Sequence, residues 1–89
     1  MTIESQPSLQ ALIDSVIKLY SSNQIQEALD TAEALINDYP NEALLYNISG
    51  ACYAGLGQLD TAVKRYEKSL AINPEYAEAH NNFGVTLQN

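Results

Sequence analysis

The most informative part of this sequence is residues 43–76, which read ALLYNISGACYAGLGQLDTAVKRYEKSLAINPEY. Apolar residues recur there at steps of three and four, the spacing that places side chains on one face of a helix. Gly55 and Gly57 interrupt the pattern, and Asn73-Pro74 ends it, since the residue before proline is disfavoured in the helical region. The stretch therefore predicts two helices joined by a tight turn.

The same spacing extends through the rest of the chain. It predicts helices near residues 8–20, 24–38, 42–56, 59–72 and 75–88, and no segment alternates long enough to predict a strand. Because the connections are very short, consecutive helices must run antiparallel. The expected fold class is all-α, built from helix hairpins.

An internal repeat appears when the chain is shifted against itself. At one offset Ala28 aligns with Ala62, Pro40 with Pro74, and Gly50 with Gly84. A period of about 34 residues in a helical chain indicates stacked helix-turn-helix units. The middle unit carries its small, aromatic and proline residues at fixed places: Tyr46, Gly50, Tyr53, Gly57, Ala62, Tyr66 and Pro74.

These residues resemble the consensus of the tetratricopeptide repeat family, with Tyr46 where tryptophan is usual and polar Ser49 where leucine is usual. The resemblance implies a short right-handed α-solenoid of about two and a half repeats. We expect a tail at residues 1–7 and a repeat domain at 8–89, with repeats at 9–42 and 43–76 and a partial repeat at 77–89. In this scheme the small residues let helices approach closely, and the tyrosines fill space between hairpins.

Composition excludes several function classes. The chain has 89 residues, 11 acidic against four basic, and a net charge of −7. Nucleic acids and anionic membranes attract clustered Lys and Arg, so neither is an expected partner. The single cysteine cannot form an intramolecular disulfide. The N-terminus lacks the basic residues of a targeting peptide, and we expect a cytoplasmic protein.

Catalytic chemistry is also not indicated. His80 is the single histidine and is expected to pack, and Cys52 is expected to be a small buried apolar residue. No metal site, cofactor or catalytic set is predicted, so the chain is expected not to be an enzyme. Lys64, Arg65 and Lys68 cluster on one helix, as a solvated face or, less simply, as a basic docking patch.

The resemblance also implies a concave groove, lined by the first helix of each repeat, that binds peptides or protein segments. The matching positions lie at steps of three and four, which share a helix face. They are Gln10, Ile13, Ile17 and Tyr20 in the first repeat, Leu44, Asn47, Ala51 and Ala54 in the second, and Glu78, Asn81, Val85 and Gln88 in the third. Asn47 and Asn81 could hydrogen-bond a peptide backbone. An alternative is that the protein's own N-terminal residues, with Ile3 and Pro7 available, cover the apolar side chains of Ile13, Ile17 and Leu44.

Two functions stay open from the sequence. The first is a protein-interaction scaffold that accepts an apolar or basic rather than an acidic segment, since no basic residue lines the expected groove. The second is the N-terminal repeat region of a larger bacterial enzyme, such as a sulfotransferase or glycosyltransferase. In either case the chain is expected to be a fragment of a longer protein. Exposed apolar residues near the C-terminal end also predict weak homodimers.

Overall fold

The computed structural model describes residues 7–88 and shows five α-helices there, with no strand in that range. The helices are α1 (Leu9–Ser21), α2 (Ile25–Asp38), α3 (Ala43–Gly55), α4 (Leu59–Ile72) and α5 (Ala77–Leu87). The predicted all-α fold of helix hairpins is confirmed. Residues 1–6 of the expected tail, which include Ile3, and Asn89 lie outside the described residues. None of the five helices is both long and apolar enough to cross a membrane.

The turns inside the two complete hairpins share one geometry. Asn23 and Gly57, which occupy the same place in successive repeats, both have positive φ, at 66° and 83°. In each turn the next backbone N–H, from Gln24 or Gln58, donates to a carbonyl five residues earlier at 2.9 Å. The turn therefore closes helices α1 and α3 in the same way. It defines hairpin 1 as α1–α2 and hairpin 2 as α3–α4.

The junctions between hairpins also repeat. The Tyr46 hydroxyl donates to the Pro40 carbonyl at 2.8 Å, and at the same place in the next repeat His80 Nε2 lies 2.8 Å from the Pro74 carbonyl oxygen. Tyr46 is buried beneath Arg65 and Lys68 of α4, each 5.8 Å from its ring centroid. His80 is exposed, contrary to the packing expected for it, because no helix covers that side of α5 within residues 7–88.

The core lies between hairpin 1 and α3. Helix α3 is enclosed on most sides: α4 packs along it, α2 packs from the other hairpin, and α1 touches it at few points. The residues fully buried at helix contacts include Val16, Ala28, Ala32, Leu45, Cys52, Ala62 and Ala79. Ala28 and Ala62, aligned by the repeat, are thus both interior positions.

The remaining repeat positions divide between packing and turns. Tyr66 is 2% exposed and lies against Gly50, while Tyr53 is half-buried and packs on the core. Pro40, Gly57, Pro74 and Gly84 are exposed. The first three lie between helices, where exposure is expected, whereas Gly84 lies within α5 on a surface with open space beside it.

Candidate peptide-binding groove

A surface cavity of about 510 Å³ lies between the first helices of the successive hairpins. Its walls come from α1 and α5, and α3 forms its floor together with the Tyr66 side chain of α4. The lining residues, which we call the groove, are Ile17, Tyr20, Leu44, Asn47, Ile48, Ala51, Ala54, Gly55, Tyr66, Glu78, Asn82, Val85 and Thr86.

The structure brings many of the residues expected at the groove to its lining. From α1 these are Ile17 and Tyr20, and from α3 and α5 they are Leu44, Asn47, Ala51, Ala54, Glu78 and Val85. Ile17, Tyr20 and Val85 are 42%, 38% and 53% exposed, unusually open for apolar side chains of this size. Their placement leaves apolar surface on both walls of the groove.

Four expected residues do not line the groove. Ile13 is 2% exposed and belongs to the core, because α1 turns that position toward α2 and α3. Gln10, Asn81 and Gln88 are exposed on other parts of their helices. A ligand in the groove would therefore not meet these side chains.

Helix α5 presents a face rotated from the one expected. Its lining residues are Glu78, Asn82, Val85 and Thr86, so Asn82 stands where Asn81 was predicted. One residue turns a helix by about 100°, which moves Asn81 to the edge of the face. Repeat alignment alone would not reveal this rotation, although the spacing from Glu78 to Asn82 also fits one helix face.

A side-chain hydrogen bond ties α5 to hairpin 2 across the groove. Asn82 Nδ2 donates to Asn47 Oδ1 at 3.1 Å, and Asn47 is 4% exposed. Burial raises the pKa of Tyr66, and a hydrogen bond with Thr86 opposes that shift. Burial also raises the pKa of Tyr76 beside the groove, with the Glu78 carboxylate as the next cause. Both phenols are therefore neutral near pH 7 and act as hydrogen-bonding groups.

Charge is sparse and one-sided around the groove. Glu78 is the one charged residue in its lining, and no lysine or arginine is part of it. Lys64, Arg65 and Lys68 lie on α4, where Arg65 pairs with Glu33 at 2.7 Å. The groove consequently offers apolar contacts and a negative charge to a ligand.

Two observations on the described residues concern metal binding and thiol reactivity. No group of three or more His, Cys, Asp or Glu side chains within residues 7–88 could hold a metal ion. Burial, reinforced by the nearby Glu33 carboxylate, raises the pKa of Cys52 to about 11. Because the thiolate is the reactive form, this thiol is a poor nucleophile at neutral pH.

Known proteins resemble this chain in sequence. A family model described as TPR repeat matches residues 50–89. The peroxisomal targeting signal receptor of Candida albicans is 29% identical over 73 residues, or 82% of this chain and 12% of the receptor. The receptors of Candida glabrata and Saccharomyces cerevisiae are each 26% identical over 70 residues, or 79% of this chain. These matches cover 12% and 11% of the two receptors.

The chain thus spans about an eighth of the length of these curated relatives. The family model covers the end of α3 together with α4 and α5. The internal repeat, the two matching hairpin turns and the family match agree, and together they support assigning the chain to the tetratricopeptide repeat family.

Proposed function

We propose that the groove binds an extended segment of another protein, with apolar side chains and at least one basic residue. The observation that carries this proposal is the exposure of Ile17, Tyr20 and Val85 on facing walls, with Glu78 as the one charged residue of the lining. Exposed apolar surface set in a concave site favours ligand binding. The net charge of −7 works in the same direction, because it repels acidic segments.

The relatives support an interaction role in general terms. They are receptors for a peroxisomal targeting signal by name, and such a receptor acts by binding. We propose that this region also acts by binding and without catalysis. The other function considered from the sequence, the repeat region of a larger enzyme, gains no support from relatives named as receptors. The proposal concerns the role of this chain, because the relatives are much longer than it is.

Matched synthetic peptides test the chemistry of the ligand. Fluorescein-labelled peptides of equal length alternate Leu with Lys, Leu with Glu, or Ser with Lys, and anisotropy measures their Kd. We expect the Leu-Lys peptide to bind most tightly, because it combines apolar contacts with charge complementarity. Tighter binding of the Leu-Glu peptide would contradict the proposal.

Variants on α5 test the place of binding. Val85→Asn should weaken binding of the Leu-Lys peptide about fivefold, since ~1 kcal/mol of lost apolar contact changes Kd by that factor. Leu87→Asn is the matched control, because Leu87 is exposed on the same helix but outside the groove. Equal effects of the two substitutions would show that the peptide does not bind in the groove.

A second pair of variants tests the charge. Glu78→Gln should reduce the preference for the Leu-Lys peptide over a further peptide of equal length that alternates Leu with Ser. Glu75→Gln, which removes an exposed carboxylate outside the groove, should not. The preference should also decrease as salt increases, because exposed charges are screened. A preference unchanged in Glu78→Gln would remove Glu78 from the proposed site.

A further inference from the structure

We propose that Glu33 is a positioning residue that fixes hairpin 1 against hairpin 2 and thereby sets the separation of the groove walls. Its carboxylate joins three helices. Ser49 Oγ of α3 donates to Glu33 Oε2, and Arg65 Nη2 of α4 donates to Glu33 Oε1 at 2.7 Å. Glu33 itself belongs to α2, so one side chain of hairpin 1 binds both helices of hairpin 2.

The position of this bridge between α2 and hairpin 2 allows it to set the location of the α1 wall of the groove. Hairpin 1 meets hairpin 2 mainly where α2 packs on α3, and α1 touches α3 at few points. Helix α1, which carries Ile17 and Tyr20, is therefore positioned largely through α2. Apolar contacts are not directional, so the packing alone permits small rotations of α2 on α3. Two hydrogen bonds to one carboxylate restrict such rotations, because hydrogen bonds weaken with misalignment.

The hydrogen bonds of Glu33 are expected to fix the orientation of the hairpins more than they stabilise the folded state. The side chains of Glu33 and Arg65 are each 29% exposed, and ion pairs with this much solvent contact add little to folding. Ser49, in contrast, is fully buried, and its hydroxyl needs a partner. Without Glu33 it could turn to a carbonyl of its own helix, as helical serines do. Loss of the bridge should thus leave the helices intact and release their relative orientation.

The second hairpin supplies an internal comparison. Glu67 of α4 is the repeat equivalent of Glu33, but the equivalent of Ser49 is Phe83. Phe83 packs near the Tyr66 ring, with centroids 6.3 Å apart, and Glu67 is exposed. The equivalent junction is therefore aromatic, and the carboxylate bridge belongs to the first junction alone among the described residues.

Distance measurements between spin labels test this inference without any peptide ligand. Labels at Asp14→Cys on α1 and Asn81→Cys on α5, both exposed positions, report on hairpin 1 relative to the rest. The native Cys52 can stay, since it is fully buried and protonated at neutral pH. A second pair, Lys64→Cys with Asn81→Cys, spans only α4 and α5 and serves as the reference.

Glu33→Ala should broaden the α1–α5 distance distribution, leave the α4–α5 distribution unchanged, and preserve the helical circular dichroism signal. Ser49→Ala, which keeps the Glu33–Arg65 pair, should also broaden the first distribution, and it decides the question if Glu33→Ala does not fold. Glu67→Ala is the matched control and should change neither. A distribution as narrow as the parent's in the folded bridge variants, or equal broadening in Glu67→Ala, would overturn the inference.

Discussion

Gly50 and Gly84 occupy the same place in successive repeats but face different surroundings. A Cβ on Gly50 would lie 2.6 Å from Cε1 and 2.8 Å from Cδ1 of Tyr66, whereas a Cβ on Gly84 would meet nothing within 4 Å. Gly50→Leu should therefore lower the free energy of unfolding by about 1–3 kcal/mol or more through overpacking. Gly84→Ala should raise it by up to ~1 kcal/mol, because alanine favours helix. Urea denaturation measures both, and an unchanged midpoint for Gly50→Leu would contradict this packing.

Gly57 is required by its backbone conformation, not by lack of space. Its φ is +83°, and nothing lies within 4 Å of the position a Cβ would take. Gly57→Ala should lower the free energy of unfolding by about 1–2 kcal/mol, the cost of a left-handed alanine. Gly55→Ala provides the control, since its Cβ would meet Ile25 at an ordinary 3.7 Å. If thermal denaturation shows equal losses for both variants, the turn conformation is not the cause.

Helix α5 is open to solvent near its C-terminal end. It packs on α4 through Phe83 and on α3 through Asn82, but Val85 and Leu87 near its end are 53% and 64% exposed. We expect backbone amides of residues 83–87 to exchange with deuterium faster than those of residues 46–54 in α3, because local opening exposes little apolar surface there. Hydrogen exchange followed by NMR measures this, and equal protection of the two segments would contradict it.

The helices were largely predictable from sequence, and the face each presents was less so. Each observed end lies within two residues of its predicted position, because Gly57, Pro40 and Pro74 mark boundaries by local backbone chemistry. The rotation that brings Asn82 to the groove, and the burial of Ile13, depend instead on how neighbouring helices dock. Ser49 shows the same limit: its polarity is visible in the sequence, but its bond to Glu33 of another helix is not.

At the scale of the whole molecule, one side of α5 exposes apolar surface, whereas the equivalent side of α3 in the preceding repeat is covered by α4. Leu87 and Gly84 are the repeat equivalents of Tyr53 and Gly50, and Gly50 lies beneath Tyr66 of α4, whereas Gly84 has open space beside it. Leu87 is 64% exposed, and covering it would contribute ~1.5 kcal/mol, which favours association of two chains through this side. We therefore expect the 89-residue chain to form concentration-dependent dimers through this side of α5.

Sedimentation velocity over a wide concentration range measures this association. Leu87→Glu should shift the chain toward monomer, because two α5 helices would then bring carboxylates together in a molecule that already carries a charge of −7. Leu56→Glu adds the same charge at an exposed leucine in the turn of hairpin 2, away from α5, and should leave the dimer in place. A single monomeric species at every concentration would mean that α5 needs no partner on this side. Equal loss in both variants would attribute the association to net charge instead of to a specific contact.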